Sequence, residues 1–416
     1  MPLFRPVYRT PLLSFPPRPV PTPTFRWPQP LRPHSYGPSL PRTSSTTAPA
    51  HTMPQTAIQR ANGANNWAAP GPAEFDFRSD VVTTPTTSML TAIQNTTLLD
   101  DVFGEDPTTT ALESFIADLT GHEAALLVLS GTMGNLLSLT TLLPPPPTPS
   151  SPHPLPHPPP RSRRRPPPHR RPPHPRPPAT HHHLSLPDIL AHAVLGDGAD
   201  VHACPTRVLS LENTLGGEVT PLDECRRIAD WARGRGGAVK VHCDGARLWE
   251  AAVAVSVAGA EAGDEAPSPA WVLKEYCRCF DSVSLCFSKG LGAPVGSVVV
   301  GSRAFVKRAR WLRKSIGGGL RQAGVISAAA RVSVEETFLG GGWRGAEEGE
   351  GGRAIMGGQG REVDEKAGVE YGVAAKCGVR ASGGRLVVHY QISDEAVERL
   401  VRVMDEILGR SRGIPG

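Results

Sequence analysis

Three apolar runs in this chain end on residues that can do chemistry. "SLCFSKGLGAPVG" (284–296) sets Lys289 just past an apolar run and before a glycine-rich turn. A lysine amine becomes a nucleophile when desolvation or nearby cations keep it neutral, and the dry end of a buried strand offers that setting. "VKVHCDGAR" (239–247) ends a second run on Asp244, with Arg247 three residues on. A carboxylate placed there can pair with a ring nitrogen that must stay protonated, and the arginine can hold a carboxylate as a two-pronged fork. "SGTMGN" (130–135) joins a third run to a helix through residues small enough for backbone N–H groups to approach a phosphate. Taken singly, each has a plainer reading: an ordinary turn, a helix-capping aspartate, a surface arginine, a solvated lysine. Lys289 sits in no GxxxxGK pattern and is not a P-loop lysine.

Together the residues match what pyridoxal 5'-phosphate requires. Its phosphate needs an anion nest, its pyridine nitrogen an acid partner, and its aldehyde a lysine for a Schiff base.

The elements that must position them alternate. "TPTTSMLTAIQNT" and "TTTALESFIADLTG" read as capped helices, and "EAALLVLSGTMGNLLSLTTLL" as strand, turn and helix. Helical spacing restarts at "HHHLSLPDILAHAV" (181–194). Then come a strand in "TRVLSLENT", a helix in "PLDECRRIADWARGRGG", strands ending near Asp244 and Lys289, a strand in "GSVVVGS" and the basic helix "SRAFVKRARWLRK". "GGRLVVHYQIS" reads as a last strand before a terminal helix. This alternation predicts an α/β fold with a mostly parallel sheet, whose ligands sit at the C-terminal strand ends.

Composition narrows the class. The formal net charge is +5, but residues 1–73 and 144–180 hold seven arginines each and no acidic residue. Subtracting those fourteen arginines leaves −9, so the folding part is acidic and a nucleic-acid-binding fold is disfavoured. Seven scattered cysteines with no CxxC pair indicate reduced thiols. No apolar run is long enough to span a membrane, and no metal site is assigned. A cytoplasmic protein is expected. The acid-free, Arg/Ser/Pro-rich start is alternatively an organellar, mitochondrial leader. Residues 1–73 are expected to be a disordered leader, 74–340 a large domain interrupted by the Pro/Arg/His-rich 144–180, and 341–416 a smaller C-terminal α/β domain.

"FDFRSDVVTTPT", "DDVFGEDPTTTALE", "LENTLGGEVTPL", "VHCDGARLWEAAVA", "DSVSLCFSKGLGAPVGSVVVGS" and "RWLRKSIGGGLRQAGVISAA", together with the "SGTMGN" block, resemble the threonine aldolases. The match covers 75–143 and about 184–340. The resemblance implies fold type I of the pyridoxal-phosphate enzymes, a three-layer αβα architecture with a smaller C-terminal domain. It implies that Lys289 forms the Schiff base, that Asp244 pairs with the pyridine nitrogen, and that Gly131 and Thr132 hold the phosphate. Lys314 and Arg321 would help from a neighbouring subunit of a homotetramer. Ser79, Arg247 and Arg385 would clamp the carboxylate of a small amino-acid substrate, and His202 would lie near its hydroxyl. The implied reaction is retro-aldol cleavage of L-threonine or L-allo-threonine to glycine and acetaldehyde.

The chain departs from that pattern where 144–180 replaces a strand and a ring-stacking histidine. A proline run cannot build a central strand, which suggests a disrupted gene. The stretch 341–380 is glycine-rich, so the C-terminal domain reads as shortened, and Phe103 stands where many relatives have tyrosine. "AGAEAGDEAPSPAW" (258–271) reads as a surface loop. Two rival readings follow: a β-eliminating lyase of the same fold, or a defective homologue whose Pro/Arg tract only docks onto partners.

Overall fold

Several helices start where the sequence supplies a capping side chain. In the computed structural model, which describes residues 67–143, 183–195, 205–261, 267–341, 374, 376–381 and 386–412, Thr86 caps α1 (Thr87–Gln94). Asp106, with Pro107 at the first helical position, caps α2 (Pro107–Thr120), and Gly121 at φ +72° ends it. β1 (Ala124–Val128) runs into Ser130, whose Oγ accepts the Met133 N–H at 3.2 Å and so opens α3 (Gly131–Leu142). There follow α4 (Leu186–His192), β2 (Val208–Glu212), α5 (Leu222–Arg233), β3 (Lys240–Gly245), α6 (Leu248–Glu261), α7 (Pro269–Cys277), β4 (Ser282–Cys286) and β5 (Ser297–Gly301). The chain continues with α8 (Arg303–Ser315), α9 (Gly324–Ser333), a π turn at Val334–Leu339, and α10 (Asp394–Arg412).

The strands form one five-stranded sheet in the order β1-β5-β4-β3-β2. β2, β3 and β4 pair in parallel, while β5 runs antiparallel to both β4 and β1. Four of the five strands therefore share a direction, which is the expected mostly parallel α/β sheet.

The two faces of this sheet differ in chemistry. Side chains alternate between faces along a strand, and the register aligns them across strands. Ala125, Leu127, Leu209, Leu211, Val241, Cys243, Val283, Leu285, Val298 and Val300 fall on one face. All are buried in the main core with Leu112 and Ile116 of α2, Ile228 of α5, Trp249 of α6 and Val272 of α7. The opposite face carries His242, Asp244, Ser282, Ser284, Cys286 and Ser297. It lies beneath α3, and only its β1–β5 side is apolar, where Leu126, Val128 and Val299 pack on Leu137 and on Phe305, Ala309 and Leu312 of α8. Helices thus cover both faces, giving three layers.

A satellite core joins Phe77 to Val379, Ile392, Ala396, Val397 and Leu400. Here the sequence expectation needs correction. "GGRLVVHYQIS" forms no strand among its described residues: the Val387 N–H bonds the Phe77 carbonyl at 2.8 Å, and Leu386, Val388 and Ile392 bury their side chains against Phe77 and α10 instead of joining a ladder. The expected loop at 258–271 is likewise shorter. α6 extends to Glu261, and Ser268 caps α7 from Pro269 onward. No helix among the described residues is long and apolar enough to cross a membrane. The leader up to residue 66, the tract 144–182, and most of the glycine-rich stretch after 341 lie outside the described residues.

Candidate active site

β3 and β4 deliver their functional residues to the same end of the sheet. Their parallel register pairs Asp244 with Ser284 on the next strand, five residues before Lys289. β4 then turns back as β5, so residues 287–296 close a loop at the C-terminal end of β4. That loop is held by Phe287 N–H to the Gly296 carbonyl (3.1 Å), Ala293 N–H to Phe287 (3.0 Å) and Gly292 N–H to Lys289 (2.9 Å). Gly292 adopts φ +81°, and a Cβ there would collide with the Tyr390 hydroxyl, so only glycine fits under the C-terminal segment. The Thr83 hydroxyl donates to the Lys289 carbonyl at 2.8 Å, which ties the N-terminal segment to the same loop. Among the described residues, no ion pair engages the Lys289 ammonium.

Arg247 sits just before α6 with its guanidinium forked onto Asp80: Nε donates at 2.5 Å and Nη2 at 2.8 Å. Asp80 is 2% exposed and Arg247 20%, so the pair is largely desolvated. Burial pulls the Arg247 pKa down, but the hydrogen bond and charge of Asp80 outweigh it and keep the guanidinium charged. Ser79 precedes Asp80 and accepts the Val81 N–H at 3.4 Å. One helical turn past Arg247, Glu250 has a buried Oε2 with no hydrogen-bond partner among the described residues. Burial, reinforced by the Asp80 charge, raises its carboxyl to about 7, while Arg247 and Lys289 pull it back.

Asp244 is held from α3. The Asn135 Nδ2 donates to its Oδ2 at 2.5 Å, and the Ala246 N–H reaches its Oδ1 at 3.2 Å. An ionised carboxylate has about four acceptor sites, so room remains for a protonated ring nitrogen. α3 lies close on the sheet because residue 134 is glycine: a Cβ there would stand 2.5 Å from Ser284 Oγ and 3.0 Å from Val299 Cγ2. The N-terminus of α3 at Gly131 and Thr132 presents N–H groups that have no acceptor within the helix, and the helix dipole adds positive potential there. A free amine, an acceptor carboxylate and an anion-binding helix end therefore fit pyridoxal phosphate.

The structure thus sets Asp244 and the Gly131 start of α3 against the C-terminal ends of β3 and β4, with Lys289 on the loop that follows β4, Thr132 next to Gly131, and Ser79 next to the Asp80 that holds Arg247. Among the described residues no hydrogen bond joins Lys314 or Arg321 to the 130–132 turn within one chain. The Arg321 guanidinium pairs with Asp100 at 2.7 Å, and Lys314 lies along Gly319. His202 and Arg385 lie outside the described residues. Sequence reasoning passed over Asp80, Thr83, Asn135, His242 and Glu250. A signal was present for His242, since a histidine two residues before Asp244 falls on the same face of a strand covered on both sides.

Residues 76–154 and 164–342 match the beta-eliminating lyase family. The chain belongs to the beta-eliminating lyase family. This lyase-family chain is 46% identical over 389 residues to the aldolase vrtJ of Penicillium aethiopicum, covering 84% of this chain and 90% of that one. It is 40% identical over 273 residues to the alanine racemase TOXG of Cochliobolus carbonum (65% and 66% covered). To the low-specificity L-threonine aldolase of Eremothecium gossypii it is 34% identical over 360 residues (82% and 90%). Its fold superimposes on the threonine aldolase of Leishmania major with a TM-score of 0.52 at 13% identity, covering 80% of this chain and 99% of the other. The fold is type I of the pyridoxal-phosphate enzymes, as the sequence motifs implied.

Proposed function

We propose that this beta-eliminating lyase family member is a pyridoxal 5'-phosphate-dependent aldolase that cleaves L-threonine or L-allo-threonine to glycine and acetaldehyde. The observation that supports it most is the placing of Lys289 and Asp244 at the ends of adjacent parallel strands, next to an arginine fork fixed by a buried aspartate. Lys289 would hold the cofactor's aldehyde carbon, Asp244 its ring nitrogen, and the N–H groups of Gly131 and Thr132 its phosphate. Bound there, the ring supplies an electron sink for the pair released when Cα–Cβ breaks.

The protein's own contribution is orientation and proton handling. Asp80 fixes Nε and Nη2 of Arg247, which leaves Nη1 to hold the substrate carboxylate beside Ser79. Fixing that carboxylate sets which Cα bond stands perpendicular to the ring, and so which bond breaks. A base must take the β-hydroxyl proton, and His202 is the residue that the family resemblance offers. The Glu250 carboxyl, raised to about 7 mainly by burial, lies one helical turn past Arg247 and can hold a proton on this side of α6. Lys314, with the exposed Trp311 and Phe103, fits a homo-oligomer in which Lys314 and Arg321 serve a second copy's phosphate site.

The racemase relative favours a second reading, in which only the Cα proton moves. Incubating the purified full chain with pyridoxal phosphate and threonine separates the two. Release of glycine and acetaldehyde, with visible cofactor absorbance lost in Lys289→Ala, is expected. Folded protein that racemises alanine and releases no aldehyde would overturn the aldolase assignment.

A further inference from the structure

The polar face beneath α3 holds a chain of hydrogen bonds that the cofactor assignment does not use. Asn135 Nδ2 reaches Asp244 Oδ2 at 2.5 Å, Asn135 Oδ1 lies 3.0 Å from His242 Nε2, and His242 Nδ1 lies 2.8 Å from Ser282 Oγ and 3.2 Å from the Ser282 carbonyl oxygen. His242 and Ser282 are 0% exposed. Burying polar side chains here costs stability that the all-apolar opposite face avoids, so the chain calls for a purpose.

We propose that Ser282, His242 and Asn135 form a one-directional relay that fixes the orientation of the Asp244 carboxylate, with His242 and Asn135 as positioning residues for the ring-nitrogen partner. This rests on the reading of Asp244 given above. The direction follows from chemistry. An ionised carboxylate only accepts, so the Asn135 group facing it must be the NH2. The Asn135 oxygen then faces His242 Nε2, which must carry the hydrogen. Burial pushes the imidazole down to about 4, so the ring is neutral at pH 7 and Nδ1 is bare. Nδ1 accordingly accepts the Ser282 hydroxyl hydrogen. The opposite tautomer could donate from Nδ1 to the Ser282 carbonyl at 3.2 Å, but it would set a bare Nε2 against the amide oxygen at 3.0 Å; the Nε2–H tautomer donates at the shorter contact and still gains the Ser282 hydroxyl at 2.8 Å. Turning the amide over would only set that oxygen against the carboxylate. The charge on Asp244 therefore selects the His242 tautomer, through an amide that touches both.

The test is nitrogen NMR on the full chain with 15N-labelled histidine, the signal assigned by its loss in His242→Gln, alongside cofactor titration of Asn135→Leu. The Nε2–H tautomer at pH 7 is expected. Asn135→Leu is expected to weaken pyridoxal phosphate binding about 10- to 100-fold, the range for losing a hydrogen bond to a charged group. His242→Gln, whose amide N–H can still donate to Asn135, should bind more tightly than His242→Leu. A wild type that binds the cofactor but shows Nδ1–H, or an even mixture, overturns the relay and leaves the aldolase reading standing. Unchanged affinity in Asn135→Leu also overturns it. A folded wild type with no visible cofactor band overturns the reading of the site, and this proposal falls with it.

Discussion

Asp80 and Arg247 are 167 residues apart in sequence and share two hydrogen bonds, at 2.5 and 2.8 Å. The pair fastens the N-terminal segment to the start of α6 at the mouth of the site. Because Asp80 is buried, removing either partner leaves an uncompensated charge. Asp80→Ala should cost about 3 kcal/mol of stability, read by denaturant unfolding. Arg247→Lys keeps the charge and loses the fork. It should lower kcat/KM on the order of 100-fold, chiefly through KM, with a small change in Tm. A fall confined to kcat would show that Arg247 does not bind the substrate carboxylate.

The burial of Glu250 sets the sign of a pH dependence of the fold. Its carboxyl is raised from 4.5 to about 7, so the native state binds a proton that the unfolded chain has already released. The resulting stability is present below pH 4.5 and is lost as pH rises to 7. Glu250→Gln should remove that slope, gaining up to about 3 kcal/mol on the wild type by pH 8. Chemical denaturation of both proteins from pH 5 to 8 checks it. Parallel curves would show that the carboxyl is not shifted.

Gly134 sets how closely α3 lies on the sheet. Gly134→Ala should cost about 1–3 kcal/mol by overpacking and loosen cofactor binding by displacing the 131–132 turn. Ser284→Ala removes both the nearest obstacle and a buried hydroxyl with no partner among the described residues. It should be neutral or stabilising alone, and should recover part of the loss in the double variant. Thermal melts and cofactor titration of the three variants decide this.

Gly292 is the corresponding point for the lysine loop. Gly292→Ala meets both a left-handed backbone and the Tyr390 hydroxyl. It should weaken the visible cofactor absorbance at a given cofactor concentration. Tyr390→Phe in the same chain removes the hydroxyl contact and should restore part of it, leaving ring carbons at 2.9 and 3.0 Å and a backbone cost of about 1 kcal/mol. Full loss in both variants alike would show that the hydroxyl is not the deciding contact and that the backbone and the ring carbons carry the cost.

Much of this was legible in the sequence because local rules and the sheet agree. The apolar runs before Lys289 and Asp244 are buried strands, and Ser130 caps its helix as the small-residue turn suggested. What escaped depends on contacts across long separations. Asp80 reads as a solvated aspartate until α6 brings Arg247 to it, and Asn135 reads as one polar position in an apolar helix until β3 passes beneath. Leu386 and Val388 alternate like a strand, yet their backbone finds no ladder and their side chains find Phe77. Ser268 and Pro269 marked a helix start, but the neighbouring acidic, glycine-bearing stretch masked it.

One feature of the sheet carries a mechanical consequence. β5 leaves β4 as its antiparallel neighbour, and Cys286 faces Ser297 across the last rung. The ten residues between them form a closed bight anchored at both ends by the same pair of strands. The Lys289 amine is therefore indexed to the ladder itself, with no helix in between whose tilt could move it. Lengthening or shortening this bight by one residue would rotate the amine out of line, whereas the connections that cross over through helices can change length without disturbing it.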